Sequence, residues 1–225
     1  MKQAFGENSP LMMAARKIIS VLLVNMLWIV TSIPLVTIGA STAACYDTVY
    51  KDVWHHRGTA FFDFFSAFRK NFRQSLVVGV VFAAAALILG YDIYTLHSLS
   101  VNGLVWGKFW VLILIFAAWL SAYFIYVCAY IARFEAPLQV IVSNSLKLSI
   151  SHLPVTLALI MIVAAVILGV WLWPKTLAFL PAVGMLLCTR LISGVFRRYM
   201  TEEERNAEDE KNESWKLLRK SAGSK

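Results

Sequence analysis

The stretch TIGASTAACYDTVY, Thr37 to Tyr50, decides how the rest of the chain is arranged. It is rich in small and hydroxyl-bearing residues and contains an aspartate, yet it directly follows an apolar run that is long enough to span a bilayer. If this stretch crosses the membrane, every later segment lies on the opposite side from the one it would occupy if the stretch were a loop. The composition and charges around it decide between the two interpretations.

The composition predicts an all-α, polytopic membrane protein. Of the 225 residues, 59% are hydrophobic and 15% are charged, whereas an average soluble domain is about half apolar and about a quarter charged. Ser9-Pro10 favours a helix start, and we interpret the first apolar run as a retained membrane helix rather than a signal peptide. Five runs are long enough to cross roughly 30 Å of hydrocarbon: Ile18–Val36, Leu76–Leu96, Trp106–Ala132, Leu153–Trp173 and Thr176–Val195.

The distribution of positive charge favours a sixth crossing at Thr37–Trp54. With six crossings, both basic ends of the chain are cytoplasmic, and only Lys108 and Lys175 of the 21 Lys and Arg residues lie outside. We therefore predict about six transmembrane helices within a membrane bundle at residues 1–200 of a plasma-membrane protein, with a re-entrant Thr37–Trp54 as the alternative. The net charge of +8 fits cytoplasmic loops that face anionic lipid, and we expect no nucleic-acid partner.

A poorly hydrophobic crossing helix needs protein neighbours rather than lipid. Gly39, Ala40, Ala43 and Ala44 form two overlapping pairs of small residues four positions apart, a spacing that lets helix backbones approach closely. We expect this helix to be buried centrally against the first span.

Two segments between spans are predicted to lie at the cytoplasmic interface. The first, FFDFFSAFRKNFRQS, is an amphipathic helix that we expect to contact either lipid or a partner protein. The second, Phe134–Pro154, is predicted to form a similar elbow. The interface residues of the first are Phe61, Phe64, Phe65, Phe68, Arg69, Lys70, Phe72 and Arg73.

Asp47 and Arg190 fall within predicted spans, and burying either one alone would cost several kcal/mol. Asp47 and Arg190 each lie a similar number of residues before the cytoplasmic end of their predicted span. This similar depth in the membrane suggests that they form an ion pair. The pair would either close the bundle structurally or belong to a substrate or proton path.

The tail, residues 201–225, is predicted to be a separate charged cytoplasmic helix. Thr201 followed by Glu202, Glu203 and Glu204 is typical of a helix start. The pattern leaves open whether the helix is solvated, anchored at the membrane surface or docked on a protein.

Several stretches resemble the YesL-like integral membrane proteins, a family defined as a domain of unknown function. They are PLVTIGASTAACY, the phenylalanine-rich segment above, and ARFEAP with SHLPVT, and the resemblance covers most of Ile18 to Arg198. It implies a bacterial membrane protein, often encoded beside sugar importers of the ABC type and glycan-degrading enzymes. No catalytic residues are established for the family.

The sequence contains no motif for catalysis, cofactor binding or metal binding. It lacks a phosphate-binding loop, and Cys45, Cys128 and Cys188 have no metal-ligand spacing and are expected to be buried thiols. His55-His56 is interpreted as part of a wet loop.

We expect a non-enzymatic accessory protein or scaffold that has membrane lipid, and ABC sugar-importer subunits, as partners. Glu135-Ala136 followed by Leu153-Pro154 partly matches the coupling segment of ABC permeases. The alternatives are a small transporter and, less favoured, a membrane enzyme.

Overall fold

The computed structural model describes residues 10–54, 59–102 and 104–222, and these parts of the chain are helical, which confirms the predicted class. Short 3₁₀ turns occupy Leu35–Thr37, Val105–Phe109 and Pro174–Ala178. The α-helices are α1 (Pro10–Ser32), α2 (Ile38–Thr48), α3 (Ala60–Val101), α4 (Trp110–Arg133), α5 (Leu138–Ser151), α6 (Leu153–Leu172), α7 (Leu180–Tyr199) and α8 (Glu202–Ala222).

The turn between α1 and α2 is closed by a threonine hydroxyl. Pro34 takes an extended conformation that ends the first helix. The Thr37 hydroxyl then lies 2.5 Å from the carbonyl oxygen of Thr31 and 2.7 Å from that of Pro34. The first contact satisfies a carbonyl that the end of α1 would otherwise leave without a helical partner.

The α2 helix occupies the centre of the bundle. Every residue from Gly39 to Val49 is buried, and the helix packs against α1, α3, α4 and α7. Ala43, Ala44 and Tyr46 each belong to a different one of three hydrophobic clusters. The prediction that this stretch is a buried, central helix is therefore confirmed.

Four helical segments in the described part of the chain are long and apolar enough to cross a membrane: Ala60–Val101, Val105–Arg133, Leu153–Leu172 and Leu180–Tyr199. The apolar part of α1, Lys17–Ser32, is shorter. The α2 helix has 11 residues, which rise about 17 Å, before a π-helical turn continues it over Val49–Trp54. The protein is therefore membrane-embedded, and the predicted count of about six spans is not confirmed.

The phenylalanine-rich segment is not a separate elbow, because it forms the first third of the 42-residue α3. The predicted start of a span at Leu76 is wrong, because α3 runs without a break from Ala60 to Val101. A single buried stripe continues across Leu76 and holds the helix against α2 on both sides; its members include Ala60, Phe64, Ala67, Ser75 and Val78. The second elbow, by contrast, is a helix of its own, because Pro137 precedes α5 and His152 departs from helical geometry before α6.

Candidate functional site

A polar cleft lies where the first half of α3 meets the linker between α4 and α5. Its volume is about 610 Å³, and its walls include Arg69, Lys70, Arg73 and Glu135. The three cations lie on the exposed face of α3, because the opposite face of that helix is buried against α2. We refer to this feature as the cationic cleft.

One ion pair and one hydrogen bond join the two sides of the cationic cleft. Lys70 Nζ lies 2.5 Å from Glu135 Oε1, and Gln74 donates to the carbonyl oxygen of Ala136 at 3.3 Å. Both charged side chains are well exposed, so their pairing adds little stability. The Lys70 ammonium holds the pKa of the Glu135 carboxyl below its usual range by hydrogen bonding and by its charge. The two segments predicted to form the interaction face are thus brought together here.

The five predicted interface phenylalanines divide between core and surface. Phe64 is fully buried in a cluster with residues of α1 and α2. Phe61 and Phe65 are 47% and 42% exposed and pack against each other at 5.1 Å between ring centroids, while Phe68 and Phe72 are half-buried. Their shared helical spacing predicted a single face, but α2 covers part of it. Phe62, at 73% exposure, belongs to the exposed aromatic surface and was not predicted.

The predicted small-residue helix makes its closest contact with α3 rather than α1. Gly39, Ala40, Ala43 and Ala44 are all buried, and a Cβ built on Gly39 would lie 2.2 Å from the backbone oxygen of Ser75. This approach also brings Gly39 against Gly79. The phenylalanine-rich half of α3 is therefore held firmly in place behind the cationic cleft.

The structure gives Asp47 and Arg190 other partners than each other. The Asp47 carboxylate contacts Lys51 Nζ at 2.6 Å, one helical turn along the chain. The Arg190 guanidinium lies over the Trp54 ring, 5.2 Å from its centroid, and the arginine is exposed. Matching depth in two helices does not bring side chains together, because each helix must also turn the right face toward the other.

The C-terminal helix α8 is docked on the bundle, an outcome that the sequence had left open. The Glu208 carboxylate accepts hydrogen bonds from the Tyr50 hydroxyl and from Arg133, and Asp209 pairs with Arg197 at 2.7 Å. Burial raises the pKa of the Glu208 carboxyl, and the neighbouring Asp209 adds to the increase. At the predicted start of the helix, Thr201 and Glu204 form a capping box.

That capping box has both of its reciprocal hydrogen bonds. The Thr201 N–H donates to the Glu204 carboxylate at 3.0 Å, and the Glu204 N–H donates to the Thr201 hydroxyl at 3.3 Å. The predicted helix start is therefore confirmed.

Most buried polar side chains of the described bundle form hydrogen bonds or ion pairs within the protein. Asn25 is 2% exposed, and its amide donates to the carbonyl oxygens of Leu177 and Ala178 at 3.1 and 2.6 Å. Cys45, Cys128 and Cys188 are buried and unpaired, as predicted. In the described residues, no group of three or more His, Cys, Asp or Glu side chains could hold a metal ion. His55-His56 lies outside those residues.

Part of the chain matches the model of a known protein family. Residues 21–93 match the model of a family described as "Protein of unknown function, DUF624". This is the family of the YesL-like membrane proteins, so the resemblance is confirmed over these residues. No curated protein and no solved structure matches the chain.

Proposed function

We propose that the protein is a non-enzymatic accessory protein or scaffold of the bacterial plasma membrane that works with a carbohydrate importer of ABC type. The match of residues 21–93 to the family of the YesL-like proteins supports this proposal. The observation that carries this proposal is the cationic cleft. Its exposed arginines lie on the same helix, α3, as the exposed phenylalanine pair Phe61 and Phe65, which is nearer the start of that helix and outside the cleft. Aromatic and arginine side chains are the residues that most often anchor protein interfaces.

The proposed orientation places the cationic cleft and both ends of the chain in the cytoplasm. The charge distribution supports this orientation, since the 3₁₀ turns that connect α3 to α4 and α6 to α7 contain only one positive residue each, Lys108 and Lys175. Cysteines at Gly58 and Gly103, two positions outside the described residues, test it in a cysteine-free background. The cysteine at position 58 should react with an impermeant label from the cytoplasmic side and the one at position 103 from the outside, whereas the reverse pattern, or labelling from the same side, would contradict the proposed orientation.

Conservative substitutions in the cationic cleft test the accessory role. Arg69→Lys and Arg73→Lys keep the charge but remove the planar, forked donor geometry of the guanidinium. We expect each to reduce by at least several-fold the amount of importer subunit that co-purifies from gently cross-linked native membranes. Arg198→Lys is the matched control, because Arg198 is exposed on α7 and does not line the cationic cleft.

The same co-purification experiment distinguishes binding of a protein by the arginines from attraction of the arginines to lipid. A lipid surface responds to charge, so lysine would replace arginine at either position without loss. Co-purification that is equal in all three variants, or absent from the unmodified protein, would remove the support for an accessory role.

A small transporter is the second candidate, and one set of buried hydroxyls favours it. The side-chain oxygens of Tyr46, Tyr126 and Thr189 are buried without a well-formed hydrogen bond in the described part of the chain, and the first two have only weaker contacts, with Arg133 and Thr156. Buried polar atoms of this kind commonly bind internal water. A transport cycle would open such a region to solvent, whereas a scaffold would keep it closed.

The native cysteines report which of these occurs. Cys45 and Cys188 belong to core clusters next to this region, and Cys128 lies on α4 in another cluster. We expect all three to stay unreactive toward a small membrane-permeant maleimide in native membranes. Reaction at Cys45 and Cys188 but not at Cys128 would favour the transporter over the scaffold.

A further inference from the structure

Beneath α8 lies a second cavity, separate from the cationic cleft, which we call the arginine cavity. Its volume is about 290 Å³, and its lining includes Arg133, Arg190, Arg197, Glu208 and Asp209. Three guanidinium groups thus face two carboxylates. The cavity has an excess of positive charge even with α8 in place.

Arg133 is the buried cation of the arginine cavity. Its side chain is only 11% exposed, and its guanidinium lies over the Tyr50 ring at 4.4 Å from the centroid. One terminal nitrogen, Nη2, donates to Glu208, while Nη1 is buried without a well-formed hydrogen bond among the described residues, and the guanidinium has a weaker contact with the Tyr46 hydroxyl. A buried charged donor without a well-formed hydrogen bond is costly, so an acceptor entering the cavity would gain this interaction.

The carboxylates of α8 occupy the arginine cavity, and few contacts join this helix to the bundle. Glu208 and Asp209 make its ion pairs with the bundle, and Asn212 is the only side chain classed as buried among those described in α8. Most of the other described side chains of this helix are exposed. The helix can therefore leave the bundle without uncovering a large apolar surface.

We propose that the arginine cavity is a binding site for a phosphate group, and that Glu208 of the docked tail competes with this ligand. Guanidinium groups bind phosphate oxygens through two parallel hydrogen bonds, and several arginines converging on one small cavity suit a multiply charged oxyanion. Dissolved phosphate esters and anionic lipid headgroups share this chemistry. Binding of either would displace α8 from the bundle.

The test uses the full-length protein in phosphatidylcholine nanodiscs, titrated with inorganic phosphate and followed by calorimetry. Arg190→Gln should weaken phosphate binding by about tenfold, and Glu208→Gln should tighten it by several-fold. Arg198→Gln is the control, since this neighbouring arginine does not line the cavity, and it should have no effect. Arg133 is left unchanged because loss of its buried ion pair could prevent folding.

A second readout follows the displacement of α8. Hydrogen exchange at residues 202–212 should speed up several-fold when phosphate is added, or when phosphatidylglycerol replaces part of the phosphatidylcholine without added phosphate. The first response identifies a dissolved ligand and the second a lipid headgroup, and either supports the proposal. It is overturned if neither addition changes the exchange, or if Arg190→Gln and Arg198→Gln bind phosphate equally.

Discussion

Replacement of Gly39 by alanine should separate the two helices that hold the cationic cleft in place. The added Cβ would lie 2.2 Å from the Ser75 backbone oxygen and 3.0 Å from the Gly79 Cα and N. Restoring even 3.0 Å to that oxygen requires a movement of about 0.8 Å, the difference between these two distances. The obstructing atoms belong to the backbone, so no side-chain rotation can relieve the clash.

The structure gives an expected magnitude for this change. Overpacking of a well-packed core costs about 1–3 kcal/mol, and a gap of this size along the α2–α3 contact also removes about a quarter to a half of the local dispersion energy. We therefore expect Gly39→Ala to lower the free energy of unfolding by about 3 kcal/mol. Gly79→Ala should cost less, about 1 kcal/mol, because its closest contact would be 3.0 Å.

Gly90→Ala is the matched control, since it lies on the same α3 helix and a Cβ there meets nothing within 4 Å. It should be neutral or slightly stabilising, because alanine loses less conformational freedom than glycine on folding. The assay is reversible unfolding in mixed micelles of increasing dodecyl sulfate content, monitored by tryptophan fluorescence. If Gly39→Ala unfolds at the same dodecyl sulfate fraction as Gly90→Ala, the tight α2–α3 approach is not what stabilises the bundle.

Three further outcomes are expected from the same structure. Asn25→Ala should lower the free energy of unfolding by about 1–3 kcal/mol, because two carbonyls lose their buried donor; a change below about 0.5 kcal/mol, the range of ordinary surface substitutions, would contradict it. Thr201→Ala should destabilise α8 by about 1 kcal/mol, seen as faster hydrogen exchange near its start, while Thr201→Ser should largely preserve protection. The Lys70–Glu135 pair should persist above the ordinary pKa of glutamate and be lost as pH falls through the lowered pKa of Glu135; carboxyl NMR shifts of Glu135 that are identical with and without Lys70→Gln would argue against it.

Local features of the sequence were enough to predict the class of the protein and many helix ends. The apolar content of each run predicts a membrane helix regardless of its neighbours, and Thr201 marks a helix start through hydrogen bonds within three residues. The small residues around Gly39 predicted burial, because a helix with so little apolar surface needs protein on all sides. Each of these signals acts within one or two helical turns of the residue that carries it.

The pairing of helix faces was decided only by the tertiary structure. Helical spacing placed Phe64 and Phe65 in one set, but the position of α2 buries the first and leaves the second exposed. Among the described contacts, Asp47 pairs with Lys51 one turn along the chain, and Arg190 lies over an aromatic ring.

The same limit applies to the arginine cavity. Glu208 meets Tyr50 across 158 positions of the chain, and no local pattern specifies such a contact. Periodicity fixes which residues share a face, whereas the rotation and tilt of each packed helix determine what that face touches.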